Sequence, residues 1–472
     1  MPKRAWKAAI PLLFFFLILV LPPHVFALPG LTVLEQRVIA LFFLAALCWI
    51  LEPIPIYATS FMVIVMELLM LSDKGFAPFM AGKGTEEFGA VLSSTAIMAT
   101  LASPVIMLLM GGFFLAMAAT KYRLDINLAR VLLRPFGQKP SLLLLGLMAI
   151  TAIFSMFMSN TATTAMMLAI ITPVLACLEE GDPGRIAFVL AVPVGANIGG
   201  IGTPIGTPPN AIGLKYLMDI RAFSFAEWMI FALPYVLVLL LIAWWLLCFF
   251  FPARQKSLVL DIRGRFMSGW RPVVVYATFA LTIALWMLGG LHGMDSNVVA
   301  MIPVAIFCCT GVVTKEDLKT VSWDVLWLVS GGIALGFGME KTGLLQRLVT
   351  SIPFESFPPI MVMVSAMFVT LAMANFMSHT ATANLIMPLM AVLAGALAGL
   401  ESFGGGAGLI LAVTFSASLG MSLPISAPPN ALASATGLVQ TGHMARIGVL
   451  VGLIGLALTV VMLRIMSAAG MI

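Results

Sequence analysis

The chain has 472 residues, 61% of them hydrophobic and only 10% charged, with a net charge of +5. So apolar a composition excludes a soluble globular domain, and long uninterrupted apolar segments exclude the two-residue alternation of a transmembrane β-barrel. The chain reads as an all-α polytopic membrane protein whose small positive charge sits in loops, where it reports orientation rather than a nucleic-acid partner.

Residues 1–27 carry Lys3, Arg4 and Lys7, an apolar run and then Val25, Phe26 and Ala27. That order resembles a cleavable signal peptide, but its proline-rich tail also suits a first membrane helix, and the many spans that follow favour a retained helix with a cytoplasmic N-terminus. Two spans follow near 38–51 and 57–71, parted by the turn Glu52-Pro53-Ile54-Pro55. A polar outer loop with Asp73, Lys74, Lys83, Glu86 and Glu87 leads to a span near 97–119 that carries Gly111-Gly112. Lys121, Arg123, Arg130, Arg134 and Lys139, with Leu124, Leu128, Val131 and Leu132 at helical spacing, describe a basic helix in the inner interface.

Residues 141–178 enclose the polar stretch SMFMSNTATTAMM, and a polar bend in mid-membrane favours a re-entrant hairpin. A span broken at Gly199-Gly200 and again at Thr207-Pro208-Pro209-Asn210 covers 186–217, and another covers 228–251. The linker 252–271 holds Arg254, Lys256, Arg263, Arg265 and Arg271 against Asp261, which makes it cytoplasmic. The remainder, 272–472, repeats the plan. Spans lie near 273–291, 298–313 and 325–339, followed by an amphipathic stretch at 344–352. A second hairpin covers 359–398 around ANFMSHTATANLIM, a broken span 409–437 carries LPISAPPNA, and a last span runs near 447–465.

The echo is quantitative. Asn160 to Asn210 is 50 positions and His379 to Asn430 is 51, while Gly111-Gly112 and Lys121 recur 220 positions later as Gly331-Gly332 and Lys341. Paired features in order at matching spacing argue an internal duplication. Five full crossings between Lys121 and Lys341, with the first hairpin re-entrant, invert the second copy. The expected architecture is thus about 11 transmembrane helices plus two re-entrant hairpins. Residues 1–36 form the first helix and outer loop, 37–251 one repeat and 272–472 the other. Inverted repeats with broken helices at the midplane are the plan of secondary transporters.

The two clusters offer hydroxyls, amides, helix N-termini and unwound carbonyls, but no carboxylate. Ser155, Ser159, Asn160 and the carbonyls near Gly199 and Gly200 are hard neutral oxygens suited to an alkali cation. Helix N-termini suit an anion, and two of them on opposite sides fit a small dianion. The small residues could instead form a close-packing helix seam, but the duplication and the helix breaks favour a binding site. Glu52, Glu67, Asp295 and Glu340 read as snorkelling or capping groups at span ends, and Cys48, Cys177, Cys248, Cys308 and Cys309 as packing residues. The span centres carry no acid, His-Asp pair or metal-ligand set for an enzyme, and no phosphate-binding loop is present. A continuous channel suits duplicated sites on broken helices less well than alternating access does.

On these motifs, SNTAT at a first hairpin, its partner at a second and the paired PPNA breaks, the chain resembles the divalent anion:sodium symporter family over nearly its whole length. The resemblance implies a carrier of dicarboxylates, citrate or sulfate, a homodimer, and a mobile part that slides as an elevator against a scaffold. It implies that Ser159, Asn160, Thr161, Ser378, His379 and Thr380 face the substrate, with Thr207 and Pro208 near the pocket. It also implies one sodium on Ser155, Ser159, Asn160, Gly199 and Gly200, and a second near Ser378 and Gly420, with no organic cofactor. Asparagine is expected where His379 stands and a hydroxyl where Ala374 stands, so the second sodium site loses two side-chain oxygens. A protonated imidazole could supply the missing charge, turning the carrier toward exchange or single-sodium coupling, and a neutral imidazole could bond substrate as the amide would. The expected function is transport of small C4/C5 dicarboxylates such as succinate, malate, fumarate or 2-oxoglutarate across a bacterial inner membrane, with sulfate or another oxyanion as the alternative cargo.

Overall fold

A computed structural model describes residues 2–26, 28–218, 220–258, 266–351, 357–397 and 399–472. Ala27, Asp261, Arg263, Arg265, Ile352 and Ala398, on which parts of the sequence reading fall, lie outside the described residues. The described residues form helices α1 (Pro2–Val20), α2 (Val33–Leu51), α3 (Ile56–Met70), α4 (Ser94–Ala99), α5 (Pro104–Lys121), α6 (Leu124–Leu133), α7 (Pro140–Phe157), α8 (Asn160–Cys177), α9 (Pro183–Gly200), α10 (Pro208–Leu217) and α11 (Phe225–Phe250). The series continues with α12 (Trp270–Met287), α13 (Gly289–His292), α14 (Ser296–Cys309), α15 (Lys315–Leu318), α16 (Trp323–Lys341), α17 (Leu344–Ser351), α18 (Pro359–Phe376), α19 (His379–Ala396), α20 (Gly405–Ser418), α21 (Pro428–Ala435) and α22 (Thr441–Ala468). Nine helical segments among the described residues are long and apolar enough to cross a membrane, and four shorter apolar helices accompany them. Large apolar side chains such as Phe249, Leu291, Phe376 and Ile465 stand exposed, as a lipid-facing surface requires.

Local chemistry sets the breaks. The Glu52-Pro53 turn closes α2 with Glu52 in the left-handed region at φ 48, and the prolines that follow cannot continue a helix. Ser103-Pro104 splits the expected 97–119 span into α4, a short 3-10 turn and α5. Both hairpins turn on two extended residues, Met158-Ser159 between α7 and α8 and Met377-Ser378 between α18 and α19. Both PPNA segments open a helix, because proline at the first helical position gives up only a donor that is unpaired there anyway.

The packing is reciprocal between the halves. Helix α3 packs on α16 and α14 on α5; α9 packs on α7 and α8, as α20 does on α18 and α19; α10 reaches across to α19 and α21 to α8. Each post-break helix therefore seats against the other half's hairpin. Close approach fixes the glycines here: a Cβ on Gly199 would lie 2.3 Å from the Ala152 Cα, and one on Gly331 would lie 2.3 Å from the Ser60 Cβ.

Two sequence assignments change. Glu67 is fully buried between helices rather than snorkelling. Of the five cysteines, only Cys48 is buried; Cys248 is half-buried, and Cys177, Cys308 and Cys309 are exposed.

Candidate functional site

The two hairpin tips share one backbone design. Ser159 (φ −62, ψ 138) caps α8, its hydroxyl accepting from the Ala162 N–H at 3.2 Å, and Ser378 (φ −63, ψ 145) caps α19 through the Ala381 N–H at 3.2 Å. A serine at this position satisfies one orphan donor and leaves the rest of the first turn's N–H groups, with the helix dipole behind them, directed out of the tip. The breaks match as well: Thr207 (φ −145, ψ 143) precedes α10 as Ala427 (φ −153, ψ 147) precedes α21.

At the first tip the Ser155 Oγ donates to the Asn160 Oδ1 at 2.6 Å. Asn160 lies against Gly200, where an added Cβ would stand 2.8 Å from the amide oxygen. The Gly200 carbonyl accepts from Asn210 Nδ2 at 3.0 Å, and the same amide holds the Ile201 and Thr203 carbonyls at 3.2 and 2.8 Å. The Thr203 hydroxyl donates to the Met156 carbonyl, stitching the break to the end of α7. Ser155, Asn160 and Gly200 are thus brought together, with Ser159 adjoining. Gly199 turns toward Ala152, and its carbonyl accepts from the Gly202 N–H at 2.9 Å. A carbonyl has two lone pairs, so the Gly200 carbonyl keeps acceptor capacity beside its Asn210 bond. The donor set is neutral, hard oxygen and fits a sodium ion.

The second tip differs. His379 Nε2 lies 2.6 Å from the Gly420 carbonyl, and because a carbonyl only accepts, Nε2 carries the proton in this bond. Gly420 packs on the Ala374 carbonyl, and Ala374 brings no side-chain oxygen. Ser378 and Gly420 are engaged much as Ser159 and Gly200 are, but with no side-chain oxygen at Ala374 or His379 the second tip offers fewer hard oxygen donors than the first.

Accessibility separates the tips further. Thr161 is exposed and Ser159 and Asn160 half-buried, whereas His379 and Thr380 are 6% and 9% exposed. Ser159 borders a cavity of about 310 Å³ lined by Phe113, Thr120, Lys121, Asp317 and Ser322. The second hairpin instead packs under α16, where Asn384 Nδ2 donates to the Leu328 carbonyl at 2.9 Å and sits against Gly332. Thr207 is 2% exposed and Pro208 half-buried at the head of α10.

Three features escaped the sequence reading. Asn197 Nδ2 donates to Asn430 Oδ1 at 3.1 Å, joining α9 to α21 across the halves. Asn210 organises the first break, although in the sequence it served only to mark spacing. Lys121 Nζ pairs with Asp317 Oδ2 at 2.5 Å at the cavity that Ser159 borders.

The family model described as the sodium:sulfate symporter transmembrane region matches residues 2–468. An uncharacterised transporter of Schizosaccharomyces pombe is 31% identical over 407 residues, covering 84% of this chain and 45% of its own. The inorganic phosphate transporter PHO87 of Saccharomyces cerevisiae is 30% identical over 410 residues, covering 84% and 43%. The chain thus spans under half the length of these two relatives. The sodium-dependent dicarboxylate transporter SdcS of Staphylococcus saprophyticus is 28% identical over 488 residues, covering 95% of this chain and 88% of its own. The solved YdaH transporter of Alcanivorax borkumensis shares the fold, with a TM-score of 0.57 at 14% identity over 87% of this chain and 98% of its own. Matched over nearly its whole length, the chain belongs to the sodium:sulfate symporter family of membrane transporters and is not an enzyme.

Proposed function

We propose that the protein carries small C4/C5 dicarboxylates, such as succinate, malate, fumarate or 2-oxoglutarate, by alternating access. The observation that carries this reading is the pair of serine-capped helix N-termini with matched dihedrals, one of them bordering a cavity of about 310 Å³. Two such dipole ends suit the two carboxylates of one dianion, and paired broken helices are the plan of a secondary transporter. Ser159, Asn160 and Thr161, then Ser378, His379 and Thr380, bind the carboxylates, with Thr207 and Pro208 at the edge. Relatives named as sodium-dependent dicarboxylate transporters support the cargo.

One sodium sits on Ser155, Ser159, Asn160 and the Gly199 and Gly200 carbonyls. At the second site the His379 imidazole takes the Gly420 carbonyl that a sodium would use, so the carrier works with a single sodium or as a dicarboxylate exchanger. The hairpins are re-entrant in two inverted repeats, and hairpins and broken helices move as an elevator within a homodimer in a bacterial inner membrane, the N-terminus cytoplasmic. Reciprocal seating of α10 on α19 and α21 on α8 supports a unit that moves together.

Labelled succinate uptake into liposomes tests this, comparing an inward sodium gradient with unlabelled succinate inside and no sodium. Uptake in the first arm alone identifies a symporter, and uptake requiring internal succinate an exchanger. Failure in both arms shifts the cargo to sulfate or phosphate, a second reading that the phosphate-transporting yeast relative favours.

A further inference from the structure

Glu67 is a buried carboxylate to which the carrier mechanism gives no role. It lies on α3 with no exposure, and neither carboxyl oxygen has a hydrogen-bond partner. Its seat is shaped for it: a Cβ on Gly338 of α16 would stand 2.5 Å from Oε1, so only glycine lets the carboxyl group lie there. The cation on α10 is Lys215, whose ammonium rests 4.6 Å over the Tyr216 ring and 3.5 Å from the Ile333 carbonyl of α16, the helix that carries Gly338.

Other charges on the elements around α3 are engaged elsewhere. On α2, Arg37 donates to the Met70 and Phe79 carbonyls and Glu35 pairs with Arg347. On α16, Glu340 pairs with Lys341 and acts on Tyr216, whose hydroxyl packs on Gly336, while Asp324 lies in the first turn, away from Gly338. Helix α4 and the 77–80 turn bring no charge. An isolated buried carboxyl group in such surroundings must either bind a proton or be neutralised by a nearby cation.

We propose that Glu67 is a proton-binding site between α3, α16 and α10, with Lys215 as the cation that competes with the proton. The coupling rests on the elevator reading: α10 travels with the moving part, while α3 and α16 stand in the scaffold. When α10 withdraws, Glu67 takes a proton from water entering the seam, forming one carboxyl O–H bond. When Lys215 returns, that bond breaks and the proton leaves to water. The cycle moves protons alongside the anion.

Two measurements on lipid-reconstituted full-length protein test this. Infrared titration of wild type should show a carboxylic-acid C=O band that fades as pH rises and is lost in Glu67→Gln; the same titrating band in the variant overturns the proposal. Vesicles loaded with a pH-sensitive dye should report proton movement with succinate entry in wild type and its loss in Glu67→Gln; proton movement that survives the substitution also overturns it. If wild type moves no succinate yet shows the Glu67 band, the dicarboxylate reading fails and the proton site stands. Should Glu67→Gln fail to fold, Gly338→Ala, which displaces the carboxyl group without deleting it, must shift the same band, and an unshifted band refutes the site.

Discussion

Replacing His379 with asparagine restores the amide that the first half carries at Asn160. In the structure the imidazole N–H holds the Gly420 carbonyl at 2.6 Å in a fully enclosed setting. A buried hydrogen bond of this kind contributes about 1 kcal/mol when neutral and about 1.5–3 kcal/mol when one partner is charged. Its loss should lower sodium-free counter-exchange of succinate by about fivefold if neutral and up to about a hundredfold if charged, at 1.4 kcal/mol per decade. Added sodium should recover the exchange, because the shorter amide frees the Gly420 carbonyl for a cation while still bonding substrate. The assay is initial-rate exchange in proteoliposomes across a sodium series, with lithium and potassium as controls. An Asn variant whose rate and sodium response match wild type would refute the idea that the imidazole stands where a sodium ion otherwise sits.

Further outcomes follow from the same coordinates. Gly200→Ala should abolish sodium-driven uptake at unchanged helical content, since its Cβ would lie 2.8 Å from the Asn160 amide oxygen; Gly290→Ala, with open space around it, is the control, and equal uptake by both would remove Gly200 from the sodium site. Asn210→Ala should destabilise the protein by about 1–3 kcal/mol, because the Trp228 indole N–H still bonds the Ile201 carbonyl at 3.0 Å while the Gly200 carbonyl loses its amide partner. Thermal unfolding in detergent reads this, and an unchanged melting temperature would sink it. Burial raises the Asp317 carboxyl, but the Lys121 and Thr314 hydrogen bonds outweigh it and hold the group below its usual range. A depressed carboxyl adds stability above its unfolded value, near 4, and loses it as pH falls through the folded value. Asp317→Asn should therefore cost under about 1 kcal/mol at neutral pH, the pair being partly exposed, with the difference from wild type vanishing in acid. A difference that persists there would place the effect outside the ion pair.

Much of the fold was legible because its signals are local. Serine caps an extended turn wherever it stands, a Pro-Pro pair begins a helix, and apolar runs of span length form helices in lipid; the matched dihedrals at Ser159 and Ser378 follow from matched sequence. The Ser155, Asn160 and Gly200 grouping was expected from the oxygen chemistry of these residues and from the family resemblance, and the structure places them side by side.

The sequence by itself determined the duplicated plan, the two tips, the breaks and the loss of oxygen donors at His379 and Ala374. Only the tertiary structure decided that one tip borders a cavity while the other packs under α16, that His379 engages Gly420, that Asn197 meets Asn430, and that Glu67 is enclosed against Gly338. These contacts join residues 41 to 233 positions apart where distances are given, on helices whose relative placement depends on how whole faces pack. A local pattern sets which way a backbone turns, whereas the partner of a buried polar group is set by which helix lies opposite, and that is a property of the assembled bundle.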